Sequence, residues 1–409
     1  MRRLFVSLLL SSLFAGSAHA DFAIPGFELV HTSPVETTLT NPDLREPVAV
    51  WTELFDAAKK EIVIAQFYAV SKPGTAFEKV LASLTAAGQR GVKIRFLLDQ
   101  KGVGLSEAAT IARIKAIPNL DLRLIDFNKI TGNGIVHAKY LAVDGQVAYI
   151  GSQNFDWRSF EHIHETGLRI TEPAMVSQVQ AIFEQDWQAQ ALTSQGSRAT
   201  VLNSKVVPAN YAQNAFLLAS PNAYNPAGVG DSETGLPALL AEAKSEVRIQ
   251  LLDYAPLSYG PNRTRPYYAV IDNAVRAAAQ RGVKIKLMVS AWNTEAPAIA
   301  YLKSLALVPN VEIRIVTIPT ASTGFIPFAR VIHSKTMSID GKLAWVGTSN
   351  WAGGYFDLSR NLEVVLRNDA MAQRIAALHE QTWSSAYAQP IDINKQYPKP
   401  AKAAPQGKE

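Results

Sequence analysis

Apolar positions in the first third of the chain switch repeatedly between two periods. Trp51, Leu54, Phe55 and Ala58 recur at i, i+3, i+4 and i+7, which predicts one face of an amphipathic helix. Ile62 to Tyr68 is an apolar run of strand length. Phe77, Val80, Leu81 and Leu84 predict a second helix, ended by Gln89-Arg90-Gly91, where glycine suits the left-handed position after a helix. Val92 to Phe96 alternates like a strand, and Asp121 to Asp126 predicts the next. Before all of these, Asp21 to Pro47 is punctuated by Pro25, Pro34, Pro42 and Pro47, and an irregular arm packed on the first domain is expected there.

The same order returns further on. Leu236 to Lys244 reads as a helix, Val247 to Tyr254 as a strand, Val270 to Gln280 as a helix, then Val283 to Leu287 and Val311 to Val316 as strands. The octapeptides RGVKIRFL at 90–97 and RGVKIKLM at 281–288 show the repeat directly. A repeat of this length is a duplicated domain rather than a solenoid unit. Helices alternating with strands predict α/β architecture with sheets covered on both faces, as two tandem, pseudo-symmetric α/β/α sandwich domains. The expected limits are 21–200 and 201–390, with the boundary near Ser194 to Gln213, and a polar, proline-bearing tail over 391–409 is expected to be disordered.

The duplication carries one chemical signature twice. HAKYLAVDGQVAYIGSQN runs from His137 to Asn154, and HSKTMSIDGKLAWVGTSN from His333 to Asn350. Reading Ile135 to Asp144 as a strand puts His137 and Lys139 on one side, because strand side chains alternate; His333 and Lys335 follow suit. Lysine offers charge to non-bridging phosphate oxygens. The second strand of each signature ends at Gly151-Ser152 or Gly347-Thr348, where glycine permits close backbone approach to a ligand. Lys139, Asn154, Lys335, Asn350 and Ser152 are the candidate phosphate binders. Two such half-sites place two His, two Lys and two Asn around one phosphorus. One His then serves as nucleophile and the other as acid and base, with no metal and no cofactor expected.

A carboxylate is expected behind each imidazole. Glu165 lies 28 residues after His137 and Glu363 lies 30 after His333, and both are candidates, without an assignment of either to one His. Asp144 and Asp340 complete each signature and stand with the catalytic set. Each precedes a glycine at a strand end, so a turn or structural ion pair is the competing reading. His162 and His164 beside Glu165 raise a metal alternative that no further His or Cys cluster supports. His31 and His379 stand alone. Trp157 and Trp351 read as core or as groove walls.

Composition narrows the compartment and the class. Arg2 and Arg3, the apolar run Leu4 to Ala15 and Ala18-His19-Ala20 form a secretory signal peptide over 1–20, cleaved after Ala20, with a Gram-negative periplasm as the expected destination. The run is too short to span a bilayer, and no later stretch is long and apolar enough. Losing Arg2 and Arg3 lowers the formal charge from +5 to +3. There is no cysteine, which excludes disulfides, thiol nucleophiles and zinc–cysteine sites.

The paired signatures resemble the phospholipase D superfamily, whose mark is HxKxxxxD followed by GSxN or GTxN. The likeness covers about Trp51 to Trp383. GSQNFDWRSF, FARVIHSK and GTSNWAGGYF are similar to the branch of animal lysosomal phospholipase D-like exonucleases and poxviral proteins. The resemblance implies a bilobal fold of phospholipase D type, one active site between the halves, a phosphohistidine intermediate and no metal requirement. It implies His137 as nucleophile and His333 as general acid. Gln153 departs from a small residue in many relatives, with a narrower cleft or an added donor as the expected effect. The substrate is read as phospholipid by a narrow margin, with peripheral membrane contact. Single-stranded nucleic acid cleaved from its 5′ end is the close alternative, and a non-catalytic phosphate-binding protein a third. The loops Ala255 to Pro266 and Thr320 to Phe328 are expected to bring aromatics to the cleft mouth. No obligate protein partner is implied.

Overall fold

The computed structural model describes residues 21–196, 210–260 and 264–402. The expected signal peptide over 1–20 and the expected domain boundary at 200/201 fall outside these residues. The first half places β1 (Ala23–Ile24), β2 (Phe27–Thr32), β3 (Glu61–Gln66), β5 (Lys93–Asp99), β6 (Leu120–Ile125), β7 (Tyr140–Val143), β8 (Val147–Gly151) and β10 (Glu165–Ile170) in one sheet. Its order is β1-β2-β10-β8-β7-β3-β5-β6, and the short β4 (Ala69–Val70) and β9 (Phe155–Asp156) pair separately. The second sheet holds β11 (Ala215–Ser220), β12 (Gly230–Asp231), β13 (Glu246–Leu251), β15 (Lys284–Ser290), β16 (Val311–Val316), β17 (Thr336–Ile339), β18 (Leu343–Gly347), β20 (Asn361–Arg367) and β21 (Ala388–Pro390). Its order is β12-β11-β20-β18-β17-β13-β15-β16-β21, with the short β14 (Tyr254–Ala255) and β19 (Trp351–Ala352) paired apart. The parallel β3·β5·β6 and β13·β15·β16 segments match the repeated strand–helix–strand pattern, each crossover being a helix whose apolar stripe covers the sheet.

Each sheet is covered on its outer face by its own helices. Pro47–Ala57 and Phe77–Gln89 bury Trp51, Leu54, Phe55, Phe77 and Leu84 on the first sheet, and Ser232–Glu242 with Ala269–Gln280 do the same on the second. The inner faces share one core, in which helices Pro173–Ser194 and Asp369–Trp383 bury Val179, Phe183, Ile375 and Leu378. Within it, Arg360 is fully buried and forks onto Asp186 at 2.8 and 2.9 Å. A charge that deep is tolerated because both partners and further acceptors satisfy it. The pair ties the long helix of the first half to the strand of the second that enters the site.

Three expectations need correction. The 21–47 arm is not irregular throughout: Phe27–Thr32 zips along β10 as a full antiparallel strand. The expected disordered tail has a described part, 391–402, that packs on the second half. Ile391 N donates to Ile313 O at 3.0 Å, and Lys399 and Lys402 both reach Glu295, so its polar composition is compensated by a backbone contact and ion pairs. Finally, the strands of the two signatures begin later than expected, at Tyr140 and Thr336, so the His and Lys residues precede them.

Candidate active site

That late start creates the site. The backbone N–H groups of His137 and Ala138 both donate to the Arg360 carbonyl, at 3.0 and 2.8 Å. Those of His333 and Ser334 donate to the His164 carbonyl, at 2.8 and 3.0 Å. Each signature is therefore stitched to the opposite half, at the residue just before that half's Asn361 or Glu165. The four signature side chains His137, His333, Asn154 and Asn350 line one cleft of about 820 Å³ between the halves. Lys139 and Lys335 lie fully buried behind it, each ammonium folded onto the carbonyl of its own histidine.

The histidines differ in what holds them. His333 Nδ1 lies 2.8 Å from Glu165 Oε2. His137 Nδ1 lies 3.0 Å from Asn361 Oδ1. The amide orientation of Asn361 is fixed, since its Nδ2 donates to Tyr355 O at 2.8 Å and its Oδ1 also accepts from Thr348 Oγ1 at 3.0 Å. His137 must then donate from Nδ1, leaving Nε2 with a lone pair for the cleft. A neutral amide gives no reason to protonate the ring, and burial with Lys139 and Lys335 nearby pushes the His137 pKa well below its usual value. Burial, Lys335 and Lys139 also lower His333, but its partner is a carboxylate that burial raises to about 7. That pair can hold one proton between Nδ1 and Oε2. Burial brings Lys335 down to about 7, against the pull of Glu165 and Asp253.

Other candidates land elsewhere. Glu363 is not the counterpart of Glu165. Its carboxylate takes the hydroxyls of Ser232 and Ser349, and burial raises it to about 7. Strand pairing sets Glu363 opposite Gly347 as Gly167 is opposite Gly151, so Asn361 is the true equivalent of Glu165. Asn361 lies 28 residues after His333, the same interval as Glu165 from His137, and that spacing was the available signal. Asp144 and Asp340 are removed from the chemistry. Each takes three backbone N–H groups, from Lys59, Lys60 and Glu61 or from Lys244, Ser245 and Glu246, at 2.8 to 2.9 Å. Each has φ of +54° before a glycine of positive φ, opening the three-residue turn between the paired strands of its signature.

Ser152 does not line the cleft: its hydroxyl donates to Thr166 O and accepts from Thr166 N, locking the loop to β10. Gly347 leaves room for protein rather than ligand, since a Cβ there would lie 2.5 Å from Glu363 Cγ. Gln153 is fully buried and accepts from the Tyr149 hydroxyl at 2.9 Å, so it neither narrows the cleft nor donates into it. His162 and His164 diverge. The His164 ring meets His31 Nε2 at 3.1 Å and Ser334 Oγ at 2.9 Å, whereas His162 packs against Trp157. Among the described residues no cluster of three or more His, Cys, Asp or Glu could hold a metal. Phe67 and Tyr355 flank the His137 ring at 5.8 and 4.7 Å; Phe67 reads from sequence only as part of an apolar strand, and Tyr355 only as part of GTSNWAGGYF.

The family model described as "Cardiolipin synthase, PLD-like domain" matches residues 52–187 and 236–383. The chain belongs to the phospholipase D superfamily. Phospholipase D Z of Dictyostelium discoideum is 31% identical over 368 residues, covering 83% of this chain and 85% of that protein. The 5'-3' exonuclease PLD3 of Xenopus laevis is 30% identical over 381 residues, covering 83% and 75%. The crystal structure of phosphatidylserine synthase from Haemophilus influenzae Rd KW20 superposes with a TM-score of 0.60 at 12% identity, over 84% and 85% of the two chains. The protein is thus an enzyme of this superfamily, with two tandem domains of phospholipase D type and relatives named for both lipid and nucleic acid cleavage. Among the described residues no helix is long and apolar enough to cross a membrane.

Proposed function

We propose that this chain is a secreted phospholipase D-type phosphodiesterase working through a phosphohistidine. The observation that carries the reading is the unequal support of the histidines: amide on His137, carboxylate on His333. His137 Nε2 attacks phosphorus while His333 gives its proton to the departing alkoxide. His333 then takes a proton from water or from an acceptor alcohol, whose oxygen displaces His137. Lys139, Lys335, Asn154 and Asn350 hold the non-bridging oxygens, supplying positive charge and amide donors where negative charge develops. Activity is expected to survive excess EDTA, and rescue of lost activity by zinc or magnesium would count against this arrangement.

Phospholipid is the favoured substrate. The cleft is walled by Phe67, Val70, Ile163, Leu252, Trp292 and Val331, and its rim carries Leu105 and Phe328, 50% and 41% exposed. Exposed apolar side chains from both halves at one mouth suit a lipid surface. The basic groups of the rim are spent internally: Arg158 on Asp156 and Pro327 O, Lys402 on Glu295. A nucleic acid track would leave such cations free for phosphates. The nuclease reading draws on the exonuclease relatives and on aromatic faces able to stack bases. Mature protein incubated with phosphatidylglycerol or phosphatidylcholine vesicles, with and without a primary alcohol, is expected to release phosphatidic acid or form the phosphatidyl alcohol. Intact vesicles beside a 5′-hydroxyl oligonucleotide shortening stepwise would transfer the assignment to the nuclease. Binding of bis(p-nitrophenyl) phosphate without cleavage would indicate a phosphate-binding protein.

A further inference from the structure

Beside the histidine cleft lies a second compartment of about 380 Å³. It is built from the second half alone, and it meets the main cleft at Asp253, Trp292, Tyr355 and Lys402. The two halves also diverge in chemistry at Asp253. The short pairings Ala69↔Phe155 and Tyr254↔Trp351 are equivalent, so Tyr68 and Asp253 occupy matching places. The Tyr68 hydroxyl is donated to Asp156 Oδ2 at 2.8 Å. At Asp253 only the backbone is engaged, its carbonyl accepting from Trp351 N at 3.1 Å. Among the described residues no group donates a hydrogen bond to its carboxylate, which lines both spaces. Burial raises its pKa, while Lys402, Lys335 and Arg265 pull it back and Glu295 opposes them.

The surroundings have a recognisable chemistry. Tyr259 and Trp292 offer aromatic faces, with the Arg265 guanidinium 4.6 Å from the Tyr259 ring centre. Asn293 spends its Oδ1 on Tyr254 N at 2.7 Å, which leaves its amide hydrogens as donors. A carboxylate that accepts O–H, donors from guanidinium and amide, and flat apolar faces for C–H groups together suit a polyhydroxylated alcohol. A trimethylammonium group has no N–H to offer Asp253 and would meet the charges of Arg265 and Lys402 beside it, and a second phosphate would be repelled by the carboxylate. Asp253, which joins the compartment to the cleft, interacts electrostatically with Lys335, the lysine of the His333 signature.

We propose that this compartment is the subsite for the leaving alcohol, and that Asp253 makes it selective for alcohols bearing further hydroxyls. The inference rests on the phosphodiesterase reading above. A glycerol headgroup and the sugar of a nucleotide share the chemistry, and the test separates them. Wild type, Asp253→Asn and Asp253→Leu are assayed on phosphatidylglycerol and phosphatidylcholine in mixed micelles, on the thymidine dinucleoside phosphate with a free 5′ hydroxyl, and on bis(p-nitrophenyl) phosphate. The readout is kcat/KM for each hydroxylated diester divided by that for bis(p-nitrophenyl) phosphate. Both substitutions are expected to lower one such ratio about 10- to 100-fold, because a site built to bind hydroxyls discriminates through them. The substrate whose ratio falls, phosphatidylglycerol or the dinucleoside, identifies the source of the alcohol. A role confined to the charge state of Lys335 would lower every substrate together and leave the ratios unchanged, and that result overturns the proposal. Ratios that stay constant because no rate changes overturn it equally. If wild type cleaves nothing, bis(p-nitrophenyl) phosphate included, the phosphodiesterase reading falls and takes the subsite with it.

Discussion

The two half-sites are copies of one motif on copies of one sheet, yet they are not chemically equivalent. The first half contributes Glu165 to the second half's histidine, and the second half returns only Asn361. Backbone geometry is conserved between them, down to the pair of N–H groups given to one opposing carbonyl. One side chain therefore divides the labour. The amide holds a neutral ring whose lone pair is free, and the carboxylate supports a ring that carries a proton. Duplication built a symmetric frame, and in the proposed mechanism the difference between Glu165 and Asn361 is what separates nucleophile from acid.

Replacing the histidines should break the symmetry most visibly. His137→Ala is expected to lower turnover by about 10⁴-fold or more and to release no burst of p-nitrophenol from bis(p-nitrophenyl) phosphate. His333→Ala should give a burst equivalent to the enzyme present and then stall, since an activated leaving group needs no acid but hydrolysis needs the base. A burst from His137→Ala in rapid mixing would reverse the roles.

Exchanging the supports comes next. Glu165→Gln keeps the shape and removes the charge, and should cost about 10²- to 10³-fold in kcat. Asn361→Asp should cost about 10-fold and displace the acid limb of the pH profile upward, because a carboxylate beside His137 stabilises its protonated ring. Equal losses, or an acid limb that stays put, would deny that these partners differentiate the histidines.

The unmodified enzyme should show the same asymmetry in its pH dependence. His137, lowered by burial, stays unprotonated in mild acid. Glu165, raised to about 7 by burial, keeps the proton of its pair with His333 below that pH and loses it above. Lys335, brought to about 7 by burial, is charged below and neutral above. In kcat/KM, which reports the free enzyme, activity should hold on the acid side and decline above about pH 7. A profile rising through pH 8 would mean that the proton sits elsewhere.

The smallest effect on catalysis belongs to the aspartates of the motif. Asp144→Ala or Asp340→Ala should leave kcat within about 2-fold while costing about 1–2 kcal/mol of stability, as for loss of a capping side chain. Partial burial raises the Asp144 pKa, but the N–H groups of Glu61, Lys59 and Lys60 outweigh it and the net shift is downward. Its stabilisation is thus present above the ordinary aspartate value, about 4, and fades as pH falls through the lowered native one. Thermal melts at pH 7 and pH 3 should converge for wild type and variant at the lower pH.

Much of this was legible in the residues themselves. The strand and helix periods, the repeated octapeptide and the doubled signature located the sheets and the four side chains of the cleft. What escaped was whatever depends on how the halves face each other. Periodicity cannot distinguish Lys139 on a strand from Lys139 just before one, because the deciding hydrogen bonds go to Arg360, far away in sequence. Matching Glu165 to Glu363 followed residue type rather than interval, and buried serines had already claimed Glu363. Asp253 belongs to no motif; only the strand pairing that aligns it with Tyr68 makes it conspicuous.

The reciprocal carbonyl contacts also decide whether the molecule can be divided. A fragment ending at Gln195 would carry His137 with no Arg360 to fix its backbone and no Asn361 to set its tautomer. The complementary fragment would carry His333 without His164 or Glu165. Neither half is a weaker enzyme waiting to be improved by its neighbour; each is an incomplete instrument. Competence should return only when the fragments reassemble, and then in proportion to the product of their concentrations, with rate serving as a direct measure of docking.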